Sequence, residues 1–204
     1  MRQISEIRKL TRGRYLVVLD DGICFPLYEK ELHEYNIHEE EYLMESVFQE
    51  IMEEVLPKRA KLRAMHLLEK MDRTEYQLRM KLQEMSYPEE IVTEAIAYVK
   101  KYRYVDDLRY AISYMEYRRE SKSLRQLEQE LYQKGISKEI FQEAAEQLEE
   151  PNEEQQILQL LQKKHYQPGV TEQKEKDRIF RFLLRRGYNI SAVRHAMQED
   201  SLYE

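Results

Sequence analysis

The sequence has little of what marks secreted or membrane-spanning proteins. Its single cysteine, Cys24, cannot form an internal disulfide, so we expect a reducing, cytoplasmic environment. No apolar run approaches the ~20 residues that a membrane-spanning helix requires, and the first residues lack the apolar stretch of a secretion signal. With only 5 Gly and 5 Pro in 204 residues, and with 35% charged residues, the composition predicts a soluble, mainly helical protein.

The net charge of −6 is unevenly distributed along the chain. Residues 1–57 hold 6 basic and 13 acidic side chains, whereas residues 58–204 hold 27 basic and 26 acidic ones. The front of the chain is therefore acidic and the rear is nearly neutral. A nearly neutral region still binds phosphates if its cations share one face. These counts are therefore compatible with a polyanionic partner such as a nucleic acid.

The first 57 residues show the pattern of a small sheet covered by helices. The expected elements are strands near residues 4–7, 14–19 and 23–25 and helices at residues 28–35 and 39–56. Asp21-Gly22 predicts a tight hairpin between two of the strands, because Gly adopts a positive φ without strain. Pro57 should end or kink the second helix. Residues 1–57 are therefore predicted to form a small α+β domain with a β-hairpin and three strands.

From about residue 60 the sequence repeats itself three times. With Ser86, Gly135 and Gly187 aligned, apolar residues recur at the same offsets around them. Each copy carries three apolar stripes at helical spacing, so each is predicted to be a three-helix repeat. The predicted repeats are residues 58–106, 107–151 and 152–204. The fold class is therefore mainly α, with tandem three-helix repeats in an elongated array behind the small amino-terminal domain.

Signals for helix starts agree with this division. In a capping box, a side chain just before the helix and another three residues later each accept a hydrogen bond from an otherwise unpaired backbone N–H. The pairs with this spacing are Thr74 with Gln77, Ser123 with Gln126, and Asn152 with Gln155. The local signals and the repeat thus predict the same helices.

No group of side chains has the spacing that a catalytic or metal site requires. The five histidines lie far apart, and no two share the i, i+4 spacing of a metal-binding helix. Cys24 has no positively charged neighbour that would activate its thiol. Asp106 and Asp107 could form a metal or acid–base pair, but a cap for the following helix explains them better. We therefore predict a protein that is not an enzyme and has no metal or cofactor.

Basic residues and tyrosines are the candidate binding residues. The basic ones gather near helix turns, at Arg73, Arg79 and Lys81 in the first repeat and at Arg118, Arg119, Lys122 and Arg125 in the second. Cations at turns suit a phosphate backbone, but an ordinary salt-bridged surface explains them equally well, since glutamates alternate with many of them. The tyrosines near the first joint are Tyr102, Tyr104, Tyr110, Tyr114 and Tyr117. Those outside the apolar stripes could stack on a base or a partner.

Several blocks of the sequence resemble the RecX family of bacterial recombination regulators. The blocks are, in order, Arg73-Thr74-Glu75, Lys81-Leu82, Tyr104-Val105-Asp106-Asp107, Tyr110-Ala111, Arg118, Arg125, Glu130-Leu131 and Lys134-Gly135-Ile136. Their order and spacing match the family over residues 60–150. The amino-terminal part, which begins with a predicted hairpin, and the third repeat are similar to the longer members of the family. The chain departs from the family pattern at Ser86, Arg103 and Ser123, since the family usually has Gly at these positions.

The resemblance implies a non-enzymatic regulator that lies along the RecA filament on single-stranded DNA, restrains its ATP hydrolysis and strand exchange, and favours its disassembly. The implied partners are RecA and single-stranded DNA, and we expect a monomer. The contact residues predicted from clustering and family blocks together are Arg73, Arg79, Lys81, Arg109, Arg118, Arg119, Lys122 and Arg125. One alternative is a general single-stranded DNA or RNA binder without a recombinase partner. Another is a metal-dependent nuclease that uses Asp106 and Asp107.

Overall fold

The structure, a computed structural model, describes residues 2–148 and 152–197 and divides into two compact units, Met1–Asp106 and Asp107–Glu204. Residues 149–151 and 198–204, which include the predicted junction of the last two repeats, lie outside the described residues. In the described part helices dominate, and the strands lie within the first 43 residues. The prediction of a mainly α chain that begins with strands is confirmed. The elongation of the array and the domain boundaries stay predictions.

An antiparallel sheet opens the first unit. Its strands are β1 (Arg2–Lys9), β2 (Arg14–Leu19), β3 (Cys24–Tyr28) and β4 (Tyr42–Leu43), in the spatial order β3-β2-β1-β4. The predicted hairpin joins β2 to β3, and Gly22 in its turn has a φ of 85°. The Leu19 N–H donates to the Ile23 carbonyl at 2.9 Å and closes the turn. The Asp-Gly signal therefore identified this connection correctly.

The short strand β4 replaces the start of a predicted helix. The prediction of a helix over residues 39–56 is wrong for residues 39–44, because Tyr42–Leu43 pairs with β1. The Glu40 N–H also donates to the Ile4 carbonyl at 2.8 Å. The edge of β1 offers unpaired backbone groups, and this segment satisfies them. Helix α1 (Glu29–Glu34) agrees with its prediction, whereas α2 begins only at Glu45.

Pro57 lies inside a helical run and does not end it. Helix α2 (Glu45–Glu50) continues into a π-helical turn (Ile51–Val55) and then into α3 (Leu56–Lys70). Proline lacks an N–H and crowds the carbonyl one turn earlier, and the wider π turn just before it accommodates both effects. The helix thus crosses residues 57 and 58, where the sequence places the end of the amino-terminal domain. Buried side chains on both sides of this point belong to one hydrophobic cluster.

The helices after Pro57 follow in groups of three. They are α3, α4 (Glu75–Gln83) and α5 (Glu89–Lys101), then α6 (Asp107–Arg118), α7 (Leu124–Gln133) and α8 (Lys138–Glu146), then α9 (Glu153–Lys163), α10 (Gln173–Arg185) and α11 (Ile190–Ala196). The first group shares its core with the sheet, and the other two have buried clusters of their own. The aligned residues Ser86, Gly135 and Gly187 all have a left-handed backbone, with φ of 66°, 86° and 84°. The repeat is therefore present in the backbone as well as in the sequence.

Of the three predicted capping boxes, the described structure contains one in full, and the other two helix starts have the N-cap bond alone. Thr74 and Gln77 form a complete capping box at the start of α4. Ser123 accepts a hydrogen bond from the backbone N–H three residues later, and Asn152 does the same at the start of α9. These contacts stabilise helix starts within each repeat because they satisfy backbone donors that have no partner in the helix.

Candidate functional site

In the first repeat, the predicted contact residue Arg79 is held in a network between α4 and α5. Its guanidinium pairs with Glu89, donates to Thr93 Oγ1 at 3.1 Å and lies 3.7 Å from Glu75 Oε1. A hydrogen bond from Gln83 and the charge of Arg79, opposed by partial burial, hold the pKa of Glu89 below its ordinary value. Arg79 therefore joins two helices of its own repeat, and 25% of its side chain remains exposed.

The other two predicted residues of the first unit differ in their surroundings. Lys81 Nζ lies 2.6 Å from Glu84 Oε2, and 41% of its side chain is exposed. Arg73 is half-buried, and its Nε has no hydrogen-bond partner among the described residues. Lys81 is thus accessible to an external anion, whereas Arg73 keeps an unpaired donor below the surface.

In the second unit, four predicted residues lie at the connection between α6 and α7, which we call the basic turn (residues 118–125). These residues are Arg118, Arg119, Lys122 and Arg125. Lys122 pairs with Glu130, which also accepts a hydrogen bond from the Tyr114 hydroxyl at 2.7 Å. Burial opposes ionisation of Glu130, but the hydrogen bonds from Lys122 and Tyr114 outweigh it and lower the Glu130 pKa. Among the described residues, no carboxylate forms an ion pair with the other three cations.

Aromatic rings surround the start of the basic turn. The Arg118 guanidinium carbon lies 5.9 Å from the ring centroid of Tyr114 and 5.3 Å from that of Tyr117. Tyr114 stacks on Tyr110, with ring centroids 6.2 Å apart, and burial together with its bond to Glu130 raises the Tyr114 pKa to about 12. Tyr117 remains 82% exposed. The rings of Tyr110 and Tyr114 thus pack within the repeat, and Tyr117 faces solvent.

Contacts with the third repeat hold the basic turn in place. The buried Ser123 hydroxyl accepts a hydrogen bond from the Gln126 N–H at 3.3 Å and donates one to the Arg186 carbonyl. The side-chain amide of Gln156 donates to the Arg119 carbonyl. These bonds connect two repeats through backbone atoms, so they fix the path of the turn.

Arg186 is a cation of this region that is missing from the predicted contacts. It follows α10, and its guanidinium carbon lies 4.7 Å from the Phe182 ring centroid. Sequence reasoning missed its proximity to the basic turn because it belongs to another repeat. Only the structure shows the proximity: a Cβ on the neighbouring Gly187 would lie 2.8 Å from Arg125 Cβ. Arg109, the remaining predicted residue, is exposed on α6.

A polar cleft of about 720 Å³ opens beside the basic turn, between the second and third repeats. Gln126, Gln156 and Tyr188 are among the residues that line it, together with Lys122 and Arg186. The Oε1 atoms of the two glutamines and the Tyr188 hydroxyl are buried without a hydrogen-bond partner among the described residues. Burial raises the pKa of Tyr188, so its hydroxyl stays protonated at neutral pH. The cleft can therefore accept water or a small polar group.

The residues of the nuclease hypothesis do not belong to a metal cluster in the described structure. Asp107 begins α6 directly after Asp106, and both residues make contacts within the protein. In residues 2–148 and 152–197, no three His, Cys, Asp or Glu side chains come together in a way that could hold a metal ion. Cys24 is an exposed free thiol. None of the helices described here is both long and apolar enough to cross a membrane.

Comparison with known proteins relates all three repeats to one family. Its models match residues 60–98 as "RecX, first three-helix domain", residues 106–144 as the second such domain and residues 152–197 as the third. A "Regulatory protein RecX" of Clostridium botulinum (strain Alaska E43) is 28% identical over 206 residues, which cover 98% of this chain and 95% of that protein. The protein of the same name from Vibrio parahaemolyticus is 31% identical over 137 residues, or 66% of this chain and 86% of that one.

Solved structures show the same relationship. A crystal structure described as regulatory protein RecX matches with a TM-score of 0.62 and 26% identity, and the match covers 98% of this chain and 100% of that one. The crystal structure of RecX from Lactobacillus salivarius matches with a TM-score of 0.61, covering 71% of this chain and 96% of the other. At 20% identity, the second likeness shows a common fold.

Proposed function

Since this chain belongs to the RecX family, we propose that it regulates the RecA recombinase by binding RecA filaments on single-stranded DNA. Binding inhibits ATP hydrolysis and strand exchange, and the protein acts in the cytoplasm as a monomer that breaks no covalent bonds. The proposal is supported by relatives that share nearly the whole chain and are named as regulatory proteins. Tandem repeats also offer a continuous surface, which suits a filament better than it suits a small substrate.

The basic turn is the observation that carries this proposal. It places four cations within eight residues, and three of them form no ion pair with a described carboxylate. A DNA phosphate or an acidic protein surface can pair with these three without first displacing a carboxylate of the described structure. Hydrogen bonds from the third repeat hold the backbone of the turn, so little conformational entropy is lost on binding.

The remaining predicted contacts contribute unequally to the proposed interface. Arg79 and Lys81 must exchange carboxylate partners before they bind phosphate, which reduces their net contribution. Arg73 and Arg109 stay in the proposed contact set. We therefore rank the cations of the basic turn above those of the first repeat.

The test measures RecA ATPase activity on single-stranded DNA while this protein is added. The wild type should lower the rate to a plateau. The double variant Arg119→Gln/Arg125→Gln should need at least about tenfold more protein for half inhibition, because each charged hydrogen bond contributes about 1.5–3 kcal/mol. Arg8→Gln/Arg178→Gln is the matched control, since both arginines are exposed and lie outside the basic turn. An unaltered rate with the wild type would refute the proposal, and equal inhibition by both double variants would remove the basic turn from it.

The alternative is a general single-stranded nucleic-acid binder without a recombinase partner. Cations that lie over tyrosine rings, such as Arg118 over Tyr117, favour it because such pairs suit unpaired bases. DNA affinity measured without RecA distinguishes the two when it is compared with the ATPase assay, since tight binding with a steep salt dependence and an unaltered RecA ATPase rate supports the alternative. Labelled DNA incubated with Mg²⁺ or Mn²⁺ should stay intact, and cleavage would revive the nuclease hypothesis.

A further inference from the structure

Three tyrosine rings lie side by side at the end of α5, and we call Tyr98, Tyr102 and Tyr104 the tyrosine surface. The ring centroids of Tyr98 and Tyr102 are 4.9 Å apart, and those of Tyr102 and Tyr104 are 6.2 Å apart with planes inclined by 28°. Tyr98 is half-buried, whereas Tyr102 and Tyr104 are 52% and 48% exposed. The rings of Tyr102 and Tyr104 are therefore open to solvent and already ordered by their contact with each other.

The backbone explains how Tyr104 reaches this position. Helix α5 ends at Lys101, and Arg103 takes a left-handed φ of 56°. The Tyr104 N–H then donates to the Val99 carbonyl at 2.9 Å, which turns the chain back beside the helix. The next residue, Val105, is buried and anchors the segment. Tyr104 is thus fixed from both sides, so the rings are arranged before any partner arrives.

Positive charge surrounds the same rings. Lys101 Nζ lies 5.9 Å from the Tyr102 ring centroid, and Lys61 Nζ lies 5.6 Å from that of Tyr98. Lys61 also pairs with Glu94 at 2.6 Å, so Lys101 is the cation that an anion reaches more easily. Arg103 adds a third cation in a left-handed conformation that Gly would adopt with less strain. The surface therefore combines aromatic faces with cations on one short segment.

We infer that the tyrosine surface stacks unpaired bases of single-stranded DNA, with the neighbouring cations on its phosphates. Every base has a π-face that an exposed tyrosine ring can cover, and the phosphates supply the negative charge that the cations require. A duplex keeps its base faces within its own stack, and an apolar helix of a partner protein would bury the Lys101 ammonium group without an opposite charge from the partner. The inference rests on the proposed function, to which it adds the place where the bases are held.

The test uses the double variant Tyr102→Ala/Tyr104→Ala and fluorescence anisotropy with a labelled dT20 oligonucleotide in the absence of RecA. Both rings are about half exposed, so the full-length variant should fold. Its Kd should rise by about tenfold or more. Each tyrosine ring that is removed eliminates the stacking of one base, and one such loss weakens binding by about tenfold. The slope of log Kd against log salt should stay unchanged, since no phosphate contact is removed.

Two controls separate stacking from a structural effect. Tyr102→Phe/Tyr104→Phe keeps the rings and should bind dT20 like the wild type. Tyr132→Ala removes a 74% exposed ring from α7 and should also leave Kd unchanged. Binding to duplex DNA should be the same for all variants. An equal Kd for the Ala pair and the wild type would overturn the inference, as would tighter binding of U20 RNA than of dT20 by the wild type.

The same variant distinguishes this inference from the proposed function. If the wild type inhibits RecA ATPase and the Ala pair binds dT20 normally, the inference fails and the proposed function stands. If the wild type leaves RecA unaffected but the Ala pair loses dT20 affinity, the proposed function fails and the stacking site stands. A loss confined to RecA-coated DNA would mean that the rings contact protein, which overturns the inference.

Discussion

The Ser123 hydroxyl provides the sharpest test of how the second and third repeats are joined. It is 3% exposed, caps α7 through the Gln126 N–H and donates to the Arg186 carbonyl. Ser123→Ala removes a helix cap, which costs about 1 kcal/mol, and leaves a carbonyl unpaired, which costs about 1–3 kcal/mol. The expected loss in free energy of unfolding is therefore about 2–4 kcal/mol.

Ser137→Ala is the matched control for this loss. Ser137 caps α8 through the Ile140 N–H at 3.4 Å, but its position is exposed and its other contact is with the nearby Glu139. Its removal should cost about 1 kcal/mol, the ordinary value for a cap. The difference between the two variants then isolates the bond from Ser123 to the third repeat.

Amide hydrogen exchange is the suitable assay because the chain has two compact units and a single unfolding transition cannot be assumed. Peptides from α7 and α10 should exchange faster in Ser123→Ala than in Ser137→Ala, while peptides from α4 should be unaffected. Equal protection in the two variants would refute the role of the cross-repeat bond. Ser123→Gly adds a second check, because Gly caps a helix almost as well as Ser. Any loss of protection in this variant is therefore caused mainly by the missing hydrogen bond to the Arg186 carbonyl.

Two further predictions concern single residues. Ser86→Gly should raise the Tm of the first unit by about 2–4 °C, as followed on heating by amide exchange in peptides from α4 and α5, because the left-handed φ of 66° strains Ser and not Gly. An unchanged or lower Tm of that unit would contradict this. Glu130→Gln should destabilise the protein at pH 7 and should destabilise it less at pH 3. The lowered pKa of Glu130 means that its ionised form stabilises the fold above its ordinary pKa of 4.5, and that this stabilisation is lost as pH falls through the lowered value. Urea denaturation at both pH values measures this effect, and an equal loss at pH 3 would argue against the bonds with Lys122 and Tyr114.

Local patterns in the sequence determined most of the fold. The hairpin at Gly22, the caps at Thr74 and Ser123 and the left-handed positions of Gly135 and Gly187 all depend on residues a few positions apart. The repeat itself was visible because each copy buries the same stripe, and a helical stripe has a fixed period. Signals of this kind are complete within one element or one turn, so the sequence alone predicts them.

Only the tertiary structure decided which polar groups on different helices and strands form hydrogen bonds or ion pairs with one another. Tyr42 joined a sheet because the edge of β1 lay beside it, and the run through Pro57 stayed helical because a π turn precedes it. Among the candidate contacts, Arg79 is held by helix α5, whereas the Ser123 hydroxyl reaches the backbone of Arg186 in another repeat. Such partners depend on the angle and register at which helices pack, and the period of an apolar stripe specifies neither. The sequence therefore determined where the cations are, and the packing decided which of them an external anion can reach.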